Sequence, residues 1–212
     1  IFRIKVKGKQ SHGAYPWSGI DPIVVSAQII SGLQTIISRQ TQLPEGAAVI
    51  TVGSIHGGVR NNIIPEQVLM EGTIRALDVE MQKKLHEKIK LTATKIAEAS
   101  GAVAELEIIP QTPVTYNDPA LTERMLHTLH TVAGRDKVVL AKAVTGAEDF
   151  AFYQEKIPGL FLFVGGMSKG KKAEEVAPHH TPDFFIDESG MKLGVKTLTS
   201  LTLNYMEGKG KK

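Results

Sequence analysis

Two adjacent histidines in the segment PHHTPDFFIDE are the residues best suited to metal chemistry. His179 and His180 stand between Pro178 and Pro182, and these prolines predict a constrained, extended backbone that directs one imidazole at a fixed point. A structural metal site needs about four ligands and a catalytic one about three. No HExxH, HxH or clustered acidic pattern elsewhere in the chain supplies the missing ligands. If His180 binds a metal, the other ligands must therefore come from elsewhere.

A third histidine, His12, lies in the segment SHGAYP, a Gly/Pro loop that directly follows a predicted strand. A histidine presented by such a loop is a candidate metal ligand, proton shuttle or hydrogen-bond donor. The simpler alternative is an ordinary solvent-exposed histidine, and this motif alone does not decide between the two.

Asn62 and Arg75 are the polar candidates of the middle of the chain, in RNNIIPE and GTIRAL. They are 13 residues apart, and a strand rises about 3.3 Å per residue. Only a bend at Pro65 or a second surface would bring both to one ligand. An arginine can bind a carboxylate through two parallel hydrogen bonds, although an ordinary ion pair with a neighbour is the alternative.

The segment GAEDF places two acids, Glu148 and Asp149, next to each other after a glycine. In the first turn of a short helix they would satisfy free N–H groups, and this is the structural explanation. The functional alternative is a carboxylate that lines a site near a metal. The chain contains no GxSxG, P-loop or GxGxxG motif, so serine-hydrolase, nucleotide-hydrolysing and dinucleotide-binding functions find no support.

Hydrophobic periodicity predicts which elements position these residues. Residues 1–112 alternate strand and helix patterns in the order β-α-β-β-α-β, the arrangement of a ferredoxin-like sandwich. The predicted strands are 1–7, 47–55, 67–77 and 103–109, and the predicted helices run from Asp21 to about Arg39 and over 79–100. The apolar stripe predicted for the first helix is Ile23, Ala27, Ile30, Leu33 and Ile37.

Residues 113–212 follow a different pattern, that of an α/β layer. It predicts helices at 120–132, 146–153 and 188–205 and strands at 137–140 and 160–164. Two strands are too few to form the sheet that three helices need to cover. We therefore expect this region to be part of a larger α/β domain.

Charge and composition argue against some classes of partner. The chain has 25 Lys and Arg against 22 Asp and Glu, but six of these cations lie in two Lys-rich stretches. The stretches are Lys169, Lys171 and Lys172, and Lys209, Lys211 and Lys212. Without a broad cationic face, nucleic-acid binding is not predicted. No apolar run reaches the roughly 18 residues of a membrane span, and the chain has no cysteine. A cytoplasmic location is expected, although a secretory signal would lie upstream of Ile1.

Six segments, taken in order, resemble one enzyme family. They are GKQSHGAYPWSGIDP, VGSIHGGVRNNIIPE, EGTIRAL, GAEDFAFY, IPGLFLFVGG and HHTPDFFIDE. Together they resemble the aminoacylase, hippurate hydrolase and indole-acetyl-amino-acid hydrolase superfamily of dinuclear metallo-amidohydrolases, over residues 1 to about 205. The resemblance implies a ferredoxin-like lid that also mediates dimerisation, followed by the C-terminal part of an α/β metallopeptidase-like catalytic domain. These expectations correspond to residues 1–112 and 113–212.

The resemblance also implies roles for individual residues. His180 resembles the last metal ligand, and His12 resembles the lid histidine that stabilises the oxyanion in the partner subunit's site. Asn62 and Arg75 resemble substrate-contacting residues, with Arg75 on the free carboxylate. The remaining matches are Glu148, an acid near the site, and Gly165 and Gly166, a backbone stretch of the acyl pocket.

Hydrolysis of N-acyl amino acids with two divalent metal ions, zinc or manganese, is what the resemblance implies for the complete enzyme. Its other metal ligands precede the lid, so this chain is expected to be an incomplete part, inactive by itself and unable to hold the ions. A homodimer through the lid is also implied. The alternative function is a stand-alone ferredoxin-like dimerisation or binding module without catalysis.

Overall fold

The computed structural model describes residues 1–209, with Glu45 and Lys209 described for the backbone alone. The C-terminal basic stretch of Lys209, Lys211 and Lys212 lies outside the described side chains. Two compact units divide the chain. The first contains residues 1–115 and 143–152, and the second contains residues 116–142 and 153–212.

The first unit contains a four-stranded antiparallel sheet. Its elements are β1 (Phe2–Lys7), β2 (Ser11–His12), α1 (Pro22–Gln40), β3 (Ala48–Gly57), β4 (Ile63–Ile64), β5 (Gln67–Ala76), α2 (Val79–Ala99) and β6 (Val103–Ile108), with short 3-10 turns at Pro16–Ser18 and Leu43–Glu45. The order in the sheet is β3-β5-β1-β6, and β2 pairs separately with β4. Each helix thus connects two parallel strands that a third strand separates. This confirms the predicted ferredoxin-like β-α-β-β-α-β fold.

Both helices pack on one face of the sheet and enclose the core. On β1, Phe2, Ile4 and Val6 are fully buried and alternate with charged residues on the opposite face. The buried stripes of the helices are Val25, Ile29, Leu33 and Ile36 on α1 and Met81, Leu85, Ile89, Ala93 and Ala97 on α2. Burying each large apolar side chain stabilises the fold by about 1.5 to 3 kcal/mol. The stripe predicted for α1 is therefore only partly correct. Leu33 is buried, and Ile30 and Ile37 are partly buried against the core. Ile23, which is 44% exposed, and Ala27 lie outside it.

A glycine in the centre of the sheet makes room for the largest core residue. Gly72 lies opposite Phe2 in the β1–β5 register, and a Cβ at this position would collide with the Phe2 ring and with the carbonyl oxygen of Thr51. The first and last strands of the unit lie side by side, and their ends are joined. The amide of Ile109 donates to the carbonyl of Ile1 at 2.9 Å.

The second unit is helical and irregular. The remaining helices of the chain are α3 (Pro119–Ala133), the short α4 (Ala151–Gln154) and α5 (Met191–Lys209), with 3-10 turns at Arg135–Lys137, Ala173–Glu175 and Glu188–Gly190. Helices α3 and α5 pack together, and the Arg124 guanidinium lies 4.6 Å from the centre of the Tyr205 ring. Of the described apolar residues in this unit, Met125 is the only one that is buried.

The strands predicted at 137–140 and 160–164 are wrong. Residues Arg135–Lys137 form a 3-10 turn, and Leu140 is 98% exposed. At the second segment the Asn117 side chain both accepts from and donates to the Phe161 backbone, at 2.6 and 2.8 Å, in place of a neighbouring strand. A strand requires a hydrogen-bonded partner, and the described part of this unit contains no other strand.

No helix in the described part of the chain combines the length and the apolar character that crossing a membrane requires.

Candidate functional site

The short β2–β4 pair positions His12. His12 is opposite Ile63 in this pair, and the backbone then turns sharply through Gly13. The amide of Ala14 donates to Nδ1 of the imidazole at 3.0 Å. The side chain itself is exposed to solvent. One ring nitrogen of His12 is therefore held by the backbone while the other faces outward.

This hydrogen bond determines what His12 can do chemically. A neutral imidazole has one N–H donor and one acceptor nitrogen, and a partner on one nitrogen fixes the tautomer. Because Nδ1 accepts from Ala14, the proton of the neutral ring is on Nε2. His12 therefore presents an outward N–H donor, which is the group that stabilises a developing oxyanion.

Asn62 lies beside His12. The amide of Gly13 donates to the Asn62 carbonyl at 2.8 Å, and a Cβ on residue 13 would lie 3.1 Å from the carbonyl carbon of Asn62. The glycine thus permits a close backbone approach that a larger residue would strain. Two of the residues singled out from sequence, 50 positions apart, are brought to one surface of the first unit.

Arg75 lines a small cavity in the first unit. The cavity has a volume of about 50 Å³ and is lined by Ile74–Leu77, Gln82, Thr112–Thr115 and Val144–Ala147. The Arg75 side chain forms no ion pair or hydrogen bond with the described residues, so the alternative of an ordinary ion pair is not observed. The hydroxyl of Thr115 is buried there without a partner among those residues. A free guanidinium and an unsatisfied hydroxyl in one cavity suit a polar, anionic group.

Glu148 follows directly after the Val144–Ala147 stretch of this cavity. The carbonyls of Glu148 and Asp149 accept from the amides of Ala151 and Phe152 at the start of α4, both at 3.1 Å. Their carboxylates form no hydrogen bond with the described residues, so the expectation that these acids cap the helix with their side chains is wrong. The predicted helix at 146–153 is reduced to Ala151–Gln154.

The remaining candidates lie in the second unit. Gly166 accepts from the Asp187 amide at 2.7 Å, and a Cβ on Gly165 would meet nothing within 4 Å. His179 and His180 are both exposed, and the His179 ring packs edge-on against Phe184 with 4.8 Å between centres.

The backbone at His180 differs from the predicted one. Its φ is +63°, in the left-handed region, so the expectation of an extended segment is wrong there. Pro182 restricts Thr181, the residue directly before it, and leaves His180 free to turn. A non-glycine residue in this region costs on the order of 1 kcal/mol, and such strain concentrates at functional sites.

Comparison with known proteins identifies the first part of the chain. A family model described as "Peptidase dimerisation domain" matches residues 2–100. Thermostable carboxypeptidase 2 of Saccharolobus solfataricus is 34% identical over 96% of this chain and 51% of its own length. N-acetylcysteine deacetylase of Bacillus subtilis is 34% identical over 97% of this chain and 52% of its own length. The crystal structure of the Bacillus subtilis YXEP protein, a dinuclear metal-binding peptidase from the M20 family, matches with a TM-score of 0.72 and 31% identity, over 97% of this chain and 49% of that one.

Residues 2–100 are an M20 peptidase dimerisation domain. His12, Asn62 and Arg75 lie inside this dimerisation domain, whereas the other candidate residues follow it in the chain. The chain spans about half the length of the curated relatives it matches.

The described residues do not by themselves fit a dinuclear metal centre. No group of three or more His, Cys, Asp or Glu side chains that could hold a metal ion occurs among them. His180 is exposed, and no group of three possible ligands in the described residues includes it.

Sequence reasoning missed several residues of the dimerisation domain and its surroundings. The Tyr15 ring packs on the His12 ring, and the Trp17 ring packs on Tyr15. Both aromatic residues follow His12 within the motif SHGAYPW, so this motif could have indicated them. Thr115 and the Val144–Ala147 stretch, by contrast, line the same cavity as Arg75 only because of the tertiary fold, which no local sequence pattern indicates.

Proposed function

We propose that this chain is the lid and the C-terminal part of a metal-dependent amidohydrolase that cleaves N-acyl amino acids or small peptides. In this proposal residues 1–112 are the lid and residues 113–212 belong to the catalytic domain. Relatives named as a carboxypeptidase and as an N-acetylcysteine deacetylase, and a dinuclear metal-binding peptidase of similar structure, support this function. The proposal includes a cytoplasmic location, which cell fractionation tests.

One observation carries the catalytic part of the proposal, namely the hydrogen bond that His12 Nδ1 accepts from the Ala14 amide, which leaves Nε2 as the donor nitrogen of the neutral ring. The Ala14 amide fixes this tautomer, and the β2–β4 pair fixes the loop. His12 donates to the carbonyl oxygen of the scissile amide as negative charge develops there, in the partner subunit's site. A donor that acts on charge developing in the transition state typically contributes 100-fold or more to turnover.

The other site residues bind and orient the substrate in this proposal. Arg75, free of ion pairs and next to the cavity, binds the free carboxylate of the amino acid. Asn62 contacts the substrate beside His12. The remaining assignments are Glu148, Gly165 and Gly166 as lining of the site, and His180 as one ligand of two divalent ions, zinc or manganese.

A trans-complementation experiment on the complete gene product tests this function. His12→Ala and His180→Ala are each expected to lower kcat by 100-fold or more. If His12 acts across the dimer, mixed dimers of the two variants contain one site with both residues intact. Mixing is therefore expected to restore a substantial fraction of wild-type hydrolysis of an N-acyl amino acid.

Three outcomes would contradict the proposed function or a part of it. Mixed dimers without any recovered activity would show that His12 acts within its own subunit. A complete gene product that hydrolyses no N-acyl amino acid or peptide with zinc or manganese would favour the stand-alone dimerisation module. A fully active His12→Ala variant would remove the catalytic role altogether.

The dimer in this proposal forms through the side of the lid that contains α1 and β3. β3 is an edge strand, and its backbone faces outward along one side. Helix α1 lies next to it, and the Gln34 amide reaches the Ile50 carbonyl at 3.4 Å. Taken together, α1 and β3 contain one Lys, Arg, Asp or Glu residue, which is Arg39 in α1. A long uncharged edge strand is a ready template for pairing with another chain.

The opposite side of the lid is protected against such pairing. Edge strand β6 contains Glu105 and Glu107, and α2 contains eight charged residues on 21 positions. Both sides carry exposed apolar residues, so charge is what distinguishes them. They are Ile23, Val24, Val49 and Ile55 on the uncharged side and Val79, Leu91 and Val103 on the charged side. A second copy of the chain is the partner that the match to a peptidase dimerisation domain suggests.

Charge placed on the α1 side tests this surface. Val24→Glu with Gln28→Glu puts two exposed like charges on each copy, and we expect the dimer dissociation constant to rise at least tenfold. Leu91→Glu on α2, where the leucine is 60% exposed, is the matched control and is expected to leave the dimer intact. Sedimentation velocity measures both. Dissociation by the control but not by the α1 variant would place the interface on the other side.

A further inference from the structure

Beside His12, three rings form a continuous exposed surface. The His12 and Tyr15 ring centres are 5.3 Å apart at 44°, and the Tyr15 and Trp17 centres are 5.5 Å apart at 62°. Tyr15 is 55% exposed and Trp17 is 79% exposed. These two residues are named the aromatic shelf here. Exposed aromatic rings in a row adjacent to a hydrogen-bond donor can bind a ligand that has both an acceptor and an apolar group.

The loop that holds the aromatic shelf is ordered by its own hydrogen bonds. The Tyr15 amide donates to the His12 carbonyl at 2.8 Å, and both the amide and the hydroxyl of Ser18 donate to the Tyr15 carbonyl, at 3.1 and 2.8 Å. Pro16 begins the 3-10 turn that contains Trp17. The rings are thus presented in a fixed arrangement, and binding to them costs little ordering of the protein.

We infer that the aromatic shelf binds the acyl group of the substrate and selects acyl groups that contain an aromatic ring. This inference rests on the proposed function, in which the His12 Nε2–H meets the amide carbonyl. The acyl group then starts next to the His12 imidazole. A ring attached to its carbonyl carbon would lie about as far from the imidazole as the Tyr15 ring does. Aromatic rings attract one another at 4.5 to 7 Å between centres. An acetyl group has no ring that could pack on these two side chains.

Kinetics on the complete gene product test the aromatic shelf. The substrates are an N-benzoyl and an N-acetyl derivative of the same amino acid. We expect Trp17→Ala and Tyr15→Leu to lower kcat/KM for the benzoyl substrate by about tenfold and to change the acetyl substrate by less than about twofold. Leu91→Ala, which removes an exposed apolar side chain on α2, is the control and is expected to change neither.

Two outcomes overturn the inference while the proposed function stands. An equal loss for both substrates, with or without weaker dimers in sedimentation, would mean that the rings contact the partner subunit or the amino-acid part. Unchanged kinetics for both substrates would mean that the rings bind nothing.

A binding experiment separates failure of the inference from failure of the proposed function. Trp17 is the single tryptophan of this chain. If the complete gene product hydrolyses neither substrate, both compounds are titrated while fluorescence is compared between wild type and Trp17→Phe. A Trp17-dependent change with tighter binding of the benzoyl compound supports the aromatic shelf. No Trp17-dependent change, or equal affinities, overturns it.

Discussion

The two units of the chain differ in how far their apolar side chains are buried. The first unit encloses a core cluster whose members all lie between Phe2 and Ala102, and most of them are fully buried. The second unit buries Met125 alone among its described apolar residues. Its exposed apolar side chains include Leu140, Phe163, Phe185, Val195 and Leu198.

This difference separates a part of the chain that has its own hydrophobic core from a part that has almost none. Hydrophobic burial is the dominant favourable contribution to folding, and only the first unit obtains it from its own residues. Exposed apolar surface of the extent seen in the second unit is typical of a face that another part of a protein covers. The contrast supports the proposal that residues 113–212 belong to a larger domain.

Among these predictions, the largest difference in unfolding behaviour is expected when the two parts of the chain are expressed separately. Residues 1–112 expressed alone should unfold cooperatively in urea, with a free energy of unfolding on the order of 5 kcal/mol or more. Residues 116–212 alone should show no cooperative transition, because their apolar residues lack a core. Circular dichroism during urea titration measures both. A sigmoidal transition of residues 116–212 would contradict the expectation that these residues lack a core of their own.

Two leucines provide a matched test within the intact chain. Leu33 on α1 is fully buried and Leu198 on α5 is 62% exposed. We expect Leu33→Ala to lower the free energy of unfolding by about 2 to 5 kcal/mol, since it leaves a cavity in the core. Leu198→Ala is expected to change it by less than about 0.5 kcal/mol. Similar costs in urea denaturation would contradict the contrast between the units.

Helix caps with the same geometry provide a finer test. Asp78 accepts from the Met81 amide and Asp118 from the Leu121 amide, both at 2.7 Å. Removing either cap with alanine costs about 1 kcal/mol locally. We expect Asp78→Ala to lower the cooperative unfolding free energy of the first unit, and Asp118→Ala to raise hydrogen exchange in α3 without that loss. Asn at either position is the control, because it retains a capping oxygen.

The smallest expected effect concerns pH. Burial lowers the pKa of His86 on α2 from its ordinary value of 6.5. The unfolded chain therefore binds a proton at His86 more readily than the folded chain, and stability falls as pH drops through about 6.5. Unfolding in urea at pH 7.5 and 5.5 should show a larger loss for wild type than for His86→Gln. Equal losses would assign the pH dependence to other groups.

The sequence predicted the fold of the first unit well, for identifiable reasons. Strand β1 alternates apolar and basic residues, and α2 carries a single apolar stripe among charges, so each pattern has one interpretation. Helix α1 is apolar almost all round. Its predicted stripe containing Ile23 and Ile30 and the observed one containing Val25 and Ile29 compete, and only the position of the sheet decides between them.

The second unit and the site were less accessible to sequence reasoning. Apolar runs such as residues 160–164 predict a buried strand, but a strand also needs a neighbouring strand, and none of the described strands pairs with this segment. The proximity of His12 to Asn62 depends on a two-residue strand pair, which is too short to give a pattern. Motif resemblance therefore supplied the candidate residues, and tertiary structure supplied their neighbours.

The pairing of Ile1 with Ile109 has a consequence for how this unit can be moved between proteins. A segment that starts and finishes at adjacent points can replace a surface turn of a host protein without separating the flanking residues. The same proximity allows the two ends to be joined by a short linker and the chain to be reopened at a loop, as in circular permutation. The first unit can thus be inserted into a host protein with little adjustment of the host structure.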